Sequence, residues 1–522
     1  MDIESTCRDQ VRAGVPPHRW TKVDDPEAEA VVASYATVIA GGGPAGLTAA
    51  YELTKHGHPC VVLEADPSLV GGISRTERYK GYRFDIGGHR FFSKSDEVNR
   101  IWREILGAQL ITRSRMSRIY YDRKFFHYPL KPADALLKLG LIRSVRILAS
   151  YVKARLRPIR PERSFEDWTV NRFGRLLFEI FFKTYTEKVW GLPTSAITAD
   201  WAAQRIKGLS LIGAVGNAFF GHRGRKGEVI KTLIDRFQYP RLGPGQMWEA
   251  ARDQVRRRGG AVHLDRRVVR VEHDGSAVTA FVARDVQGRP TRYLGQHFLS
   301  TMPIRELIRS LSPPPPPAVV EAAESLKYRD FLTVFLIVDR AETFPDTWIY
   351  IHEPDVRLGR VQNFKNWSPD LVPDPSKSSL GLEYFCFEGD DLWTRSDAEL
   401  IELGRREIDA IGLVNASEVI DGCVVRMPKA YPVYDDAYQD HLAVIRNWLK
   451  DLPNLELAGR NGMHKYNNQD HSMMTAVLAA RNILGLGRFD PWKVNTDAEY
   501  HEEATEPAAE TGRTVPRRIS AA

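Results

Sequence analysis

Cysteine is scarce, with four in 522 residues, at positions 7, 60, 386 and 423. Thiols so widely separated match no zinc-ligand spacing and no disulfide framework, so neither a structural metal nor a stapled scaffold is expected. No uninterrupted apolar run reaches the length needed to cross a bilayer. The first residues, MDIESTCRDQVRAG, lack the apolar core of a secretory signal. These absences point to the cytoplasm. No internal repeat is visible. The charge is nearly balanced, 73 basic against 66 acidic residues, and the net of +7 suits anionic ligands or surfaces. No nucleic-acid-binding module accompanies it, so no nucleic-acid partner is expected.

What is present is an ordinary globular composition, 43% hydrophobic and 27% charged, in a chain long enough for two interleaved domains. Strand-like stretches at Ala36–Ala40, Pro59–Leu63, Arg267–Glu272, His297–Thr301, Phe331–Val338, Leu380–Phe387 and Leu455–Ala458 alternate with helical patterns. The class is α/β. Residues 1–34 read as a flexible extension and 491–522 as a disordered tail.

Thr37 to Gly46 reads TVIAGGGPAG, a β-branched strand entering Gly41-x-Gly43-x-x-Gly46, and LTAAYELTKHG follows. Glycines in this spacing permit a tight turn and close backbone approach, and the helix presents its first amides to a diphosphate. The next strand, CVVLEAD, brings in Glu64, eighteen residues after Gly46. A carboxylate there is placed to accept a hydrogen bond from a ribose hydroxyl. A nicotinamide domain would continue with further βαβ units. This chain instead runs GGISRTERYKGYRFDIGGHRFF from Gly71 to Phe92, in which Gly72 lets a loop pass close to the bound cofactor and Arg75 faces its diphosphate or makes a surface ion pair.

Near the other end, LELAGRNGMHKYNNQDHSMMTAVLAARNI places a polar stretch between a strand at Leu455–Ala458 and a helix expected from about His471 to Leu484. The positive end of that helix suits a group that carries or gains negative charge. Asp470 is either its N-cap, a contact of a bound cofactor, or both. Met473 is a cofactor contact or, most simply, a helix-packing residue.

Together these motifs resemble the flavoprotein superfamily of amine oxidases, protoporphyrinogen oxidases and UDP-galactopyranose mutase, over most of Thr37–Leu486. The resemblance implies a Rossmann-like FAD-binding domain of glutathione-reductase type, with a central parallel sheet, interleaved with a substrate domain of mixed sheet plus helices. The expected FAD-binding segments are 35–120, 226–305 and 418–490, and the substrate segments 121–225 and 306–417. Within the superfamily, Gly459, Arg460, Gly462, Tyr466 and Asp470 are similar in spacing to the mutases, with His464 in place of a tyrosine and Gln469 in place of a methionine. Phe84–His89, carrying Gly87, Gly88 and His89, resembles the mutase segment packed against the flavin. FKTYTEKVW resembles the one presenting Tyr185 and Trp190 to a nucleotide-sugar, Arg205 stands near the place of a diphosphate-binding arginine, and Arg360 resembles an arginine near flavin and phosphates.

The resemblance implies isomerisation of a diphosphate-linked sugar between pyranose and furanose through a flavin N5–sugar adduct, with FAD reduced by NAD(P)H or another reductant. His89 and Arg360 would then supply electrostatics, Tyr185, Trp190, Arg205, Arg360, His464 and Tyr466 would bind substrate, and no protein nucleophile is required. Guanidinium and phenol groups drawn together suit a diphosphate on physical grounds as well. The runner-up is an FAD-dependent oxidoreductase acting on a C–N or C–C bond; a non-catalytic flavin-binding protein is a third class. Between Ala135 and Arg163 (135–163), eight basic residues interleave with apolar ones, which fits a solvated helix face, a peripheral membrane contact or part of a phosphate site.

Overall fold

The computed structural model describes residues 31–199 and 236–495, apart from 129 and 131. Two sheets organise them. In the first, eight strands assemble around a parallel centre: Ala261–His263, Cys60–Leu63, Val31–Ala40, Pro290–Ser300 and Leu455–Leu457. Arg267–His273 and Val278–Arg284 extend it antiparallel, and Leu311–Ser312 pairs at the edge. Successive side chains point to opposite faces. Ile39, Val62 and Leu299 therefore enter one core with the helices Pro44–Lys55, Gly245–Arg257 and Gln469–Ile483. Val38, Val61 and Phe298 enter another beneath Ile304–Ser310, Pro317–Ser325 and Tyr438–Leu449. Burial on both faces is why these strands read as continuous apolar runs.

The second sheet has seven strands in the order Val419–Pro432, Tyr328–Val338, Ser378–Cys386, Arg360–Asn363, Trp348–Ile351, Ser117–Tyr121 and Lys124–His127. It is mixed: Trp348–Ile351 runs parallel to Ser117–Tyr121 and the other pairings are antiparallel. One face packs Leu332, Val334, Leu382 and Tyr384 on the helix Asp397–Ala410. The opposite face carries Phe331, Arg360, Gln362, Glu383 and Phe385, directed toward the Gly87–Gly88 loop. Val419–Pro432, grouped by its sequence with the nucleotide-binding segments, is an edge strand of this second sheet; its Gly422, Pro428 and Pro432 hide the alternation a strand would show.

The helical pattern near residues 133–152 is two helices, Pro132–Leu139 and Leu141–Leu156, because Gly140 turns between them at φ +85°. Among the described residues no helix is long and apolar enough to cross a membrane.

Candidate active site

The first turn of the parallel sheet is shaped by missing side chains. A Cβ at Gly46 would lie 1.9 Å from the Gly41 carbonyl oxygen, and one at Gly41 would lie 2.2 Å from Thr301 Oγ1. Gly71 N–H donates to the Gly42 carbonyl at 2.8 Å, which sets a second glycine pair against the first. A Cβ at Gly43 would meet nothing nearer than 3.9 Å, from the backbone of Gly72. This is space that side chains would fill, and it faces a helix start with no acid in its first turn and no side-chain cap. Glu64 borders it, accepting N–H groups from Gly42 at 2.7 Å and Asp66 at 2.8 Å. Burial raises the pKa of Glu64, against the pull of those amides and of Arg75. Arg75 itself pairs with Glu77 and donates Nη1–H to the Gly72 carbonyl at 3.2 Å. An elongated anion can lie along backbone here, which fits the diphosphate of a dinucleotide.

The final strand and helix pack onto the same turn. A Cβ at Gly459 would lie 3.0 Å from Ala45 Cβ, and one at Gly462 would lie 2.8 Å from the Ser300 carbonyl oxygen. The helix begins at Gln469, and Asn468 is its N-cap, with His471 Nδ1 accepting the Asn468 N–H at 3.3 Å. Asp470 is therefore inside the first turn and does not cap; its carboxylate accepts the Ser93 hydroxyl at 3.0 Å. Met473 is fully buried, and its sulfur accepts the indole N–H of Trp102 at 3.1 Å. It is a core residue, the simpler of the two roles its sequence allowed.

Several distant residues converge beside Gly87. A Cβ at Gly87 would lie 3.6 Å from Phe331 and 3.9 Å from Arg360 Nη2, and one at Gly88 would lie 2.9 Å from Gln362 Nε2. Arg360 Nε–H donates to Glu383 at 2.6 Å, and Gln362 Nε2–H donates to the other Glu383 oxygen at 2.7 Å. Burial disfavours the charge on Arg360, but the Glu383 carboxylate overrides it and holds the guanidinium well above its ordinary pKa. Burial raises the Tyr185 phenol, with Arg360 opposing. The Tyr185 ring lies 4.8 Å from His352, nearly parallel, and meets Tyr350 edge-on at 5.5 Å. Tyr431 and Tyr466 stack at 5.5 Å, Trp190 meets Tyr466 at 5.9 Å, and the Arg460 guanidinium lies 5.2 Å and 5.3 Å from the two tyrosine rings.

His89 shares this neighbourhood. Burial, then the charges of Arg460 and Arg360, lower its pKa to about 3, so the ring is neutral. Its Nδ1–H donates to the Gly87 carbonyl at 3.2 Å, which leaves Nε2 an acceptor. Arg460 spends Nε–H on the Asn467 carbonyl at 2.9 Å and Nη1–H on the Ala430 carbonyl at 3.0 Å; Nη2 has no protein acceptor among the described residues.

The segment carrying Tyr185 and Trp190 is oriented by a π-helical turn, Glu179–Lys183, that shifts the facing of the helix Thr184–Trp190. Lys188 anchors it through the carbonyls of Ile351, Glu353 and Leu358, and Arg329 through those of Lys188, Val189 and Phe385.

Thus His89, Tyr185, Trp190, Arg360, Arg460 and Tyr466 come together with Gln362 and Glu383, and Tyr350 and Tyr431 join them without a sequence motif to announce them. One expected contact does not. His464 is buried, 1% exposed, edge-on to Tyr328 at 4.9 Å, with Nε2 near the Val433 carbonyl at 3.4 Å, because a left-handed backbone (φ +45°) turns it from the cluster. Its neighbour Lys465 is likewise turned away, to the carbonyls of Trp492 and Val494. Arg205 lies outside the described residues.

Comparison with known proteins fits this geometry. The model of the family "flavin containing amine oxidoreductase" matches residues 44–484. The chain belongs to that family. Its fold matches that of a reduced UDP-galactopyranose mutase, with a TM-score of 0.74 at 22% identity over 87% of this chain and 94% of the other. It also matches a putrescine oxidase bound to putrescine, with a TM-score of 0.56 at 15% identity over 87% and 100% of the two chains. In sequence, 59 residues are 46% identical to an uncharacterised protein of Methanothermococcus thermolithotrophicus, 11% of this chain and 56% of that one. A longer stretch, 328 residues, is 24% identical to the L-amino acid oxidase Cdc18 of Crotalus durissus cumanensis, 58% of this chain and 60% of the relative. The chain thus spans somewhat over half the length of the curated relatives it matches. The family implies FAD, and the open cradle at Gly43 and Gly72 with Glu64 beside it fits that cofactor.

Proposed function

We propose that the chain is a flavoenzyme acting with reduced FAD on a diphosphate-linked sugar, interconverting pyranose and furanose forms. The observation that supports this reading is the gathering of Arg360, Arg460 and four phenols, Tyr185, Tyr350, Tyr431 and Tyr466, beside Gly87. Reduced FAD, when bound, supplies a nucleophilic N5 and so removes the need for a protein nucleophile. Arg460 directs Nη2 at a phosphate oxygen, and a guanidinium there stabilises a departing nucleoside diphosphate. The phenols donate hydrogen bonds without adding charge, and Trp190 offers a flat face to a base or sugar. His89, held neutral, presents Nε2 as acceptor for a sugar hydroxyl, which positions the ring that must open and reclose.

Oxidation of a C–N or C–C bond is the second reading. It is favoured by the Arg360–Glu383 pair, which neutralises one of the two guanidinium groups in the cluster. The same samples decide between them. Protein reduced with dithionite should convert UDP-galactopyranose to its furanose isomer while oxidised protein does not. A reduced enzyme that neither turns over this sugar nor binds UDP, together with anaerobic bleaching of the oxidised flavin by an amine or amino acid, would replace the mutase reading with the oxidase one.

A further inference from the structure

The helix Leu141–Leu156 buries Ser144, Ile147 and Ala154 against the body of the protein and turns most of its remaining apolar residues outward. Leu141 is 81% exposed, Ile142 80% and Leu156 77%; Val145 and Val152 are more than half exposed, and Leu137 of the preceding helix adds a further 82%. Half of the large hydrophobic residues exposed in the described structure thus fall within twenty positions of the chain. Spacings of four, seven and four along Leu141, Val145, Val152 and Leu156 place them on one stripe.

Cations are interleaved with this stripe. Arg146, Lys153, Arg155, Arg157 and Arg160 are exposed and make no ion pair among the described residues. Lys138 and Arg143 nearby are already paired, with Asp134 and Asp122. At the C-terminal end of the helix a cleft of about 290 Å³ lies between Arg155, Arg160 and the Arg172–Glu162 pair.

We propose that the face formed by Leu137 and the helix Leu141–Leu156 docks on a membrane surface bearing anionic lipids. Leu141, Ile142, Val145 and Leu156 enter the acyl boundary, while Arg146, Lys153 and Arg155 reach phosphate groups at its level and the cleft receives a headgroup. The charge pattern selects this occupant. A second copy of the chain would set five unpaired cations against five more. Nucleic acid would find no aromatic platform among the exposed apolar residues. An amphipathic helix with basic residues beside an aliphatic stripe is the arrangement that lies in a lipid interface.

The test is flotation of the intact flavoprotein with vesicles of phosphatidylcholine alone or with 30% (about one lipid in three) phosphatidylglycerol. Binding to the anionic vesicles, weakened by salt and at least about tenfold lower on the neutral ones, is expected. Ile142→Glu with Leu156→Glu should abolish it, and Arg146→Glu with Lys153→Glu should lower it about tenfold or more. All four residues are exposed, so flavin content and circular dichroism should be unchanged. Absence of wild-type binding to either vesicle overturns the proposal. So does binding unaffected by both double variants, or concentration-dependent self-association that the Ile142→Glu, Leu156→Glu variant removes.

Discussion

Arg360 and Glu383 face each other across neighbouring antiparallel strands, paired in register and joined at 2.6 Å. The pair lies under the ligand cluster, and Glu383 has no exposure to solvent. Arg360→Met should cost about 3–5 kcal/mol in urea unfolding, because it leaves a buried carboxylate with Gln362 as its remaining hydrogen-bond donor from this group. Glu383→Gln should cost less and, on the proposed diphosphate-sugar function, should tighten UDP binding about tenfold by freeing the guanidinium, as calorimetric titration would register.

At the nucleotide turn, Gly46→Ala would force a methyl group to 1.9 Å from the Gly41 carbonyl. The expected product is a folded protein that does not retain flavin, read as loss of visible absorbance with far-ultraviolet circular dichroism preserved.

Asp85 is buried and accepts the Tyr239 hydroxyl, and burial pushes its pKa up to about 8. The unfolded chain releases this proton near pH 4 (about its ordinary value), whereas the folded chain keeps it. The stability contributed by the protonated form is therefore complete below about pH 4 and is lost as pH rises through about 8. Unfolding free energies measured between pH 5 and pH 8 should fall with a slope of up to about 1.4 kcal/mol per pH unit in the wild type, relative to Asp85→Asn.

Gly174 lies where the helix Leu141–Leu156 crosses the next helical layer; a Cβ there would stand 2.7 Å from Tyr151 N, at φ +79°. Gly174→Ala should destabilise the protein by about 1–3 kcal/mol, measured by urea titration, through both overpacking and backbone strain.

The legible parts of the fold and site were those written locally. TVIAGGGPAG carries strand, turn and helix in ten consecutive residues, and LELAGR carries the last parallel strand into its turn, so the parallel centre could be read directly. The second sheet resisted because its chemistry depends on register: Arg360 stands opposite Glu383 only once Arg360–Asn363 pairs with Ser378–Cys386. Tyr431 was hidden in a strand punctuated by Gly422 and Pro428, and Tyr350 in a four-residue strand bordered by unlike partners. His464 misled because spacing records position along the chain but not the left-handed turn that rotates the ring into the interior. Asp470 was displaced from the cap by Asn468, an equally good capping residue two positions earlier.

The connection after the last parallel strand is fastened to both sheets. Gly459 N–H is held by Thr475 of the final helix, while Arg460 and Asn461 reach the Ala430 and Lys429 carbonyls of the opposing sheet's edge strand. Swinging the two sheets apart would shear these crosslinks together with the tyrosine stack they frame. The positions of Tyr431 and Tyr466 therefore depend on both sheets at once, because one short connection ties the rings to each.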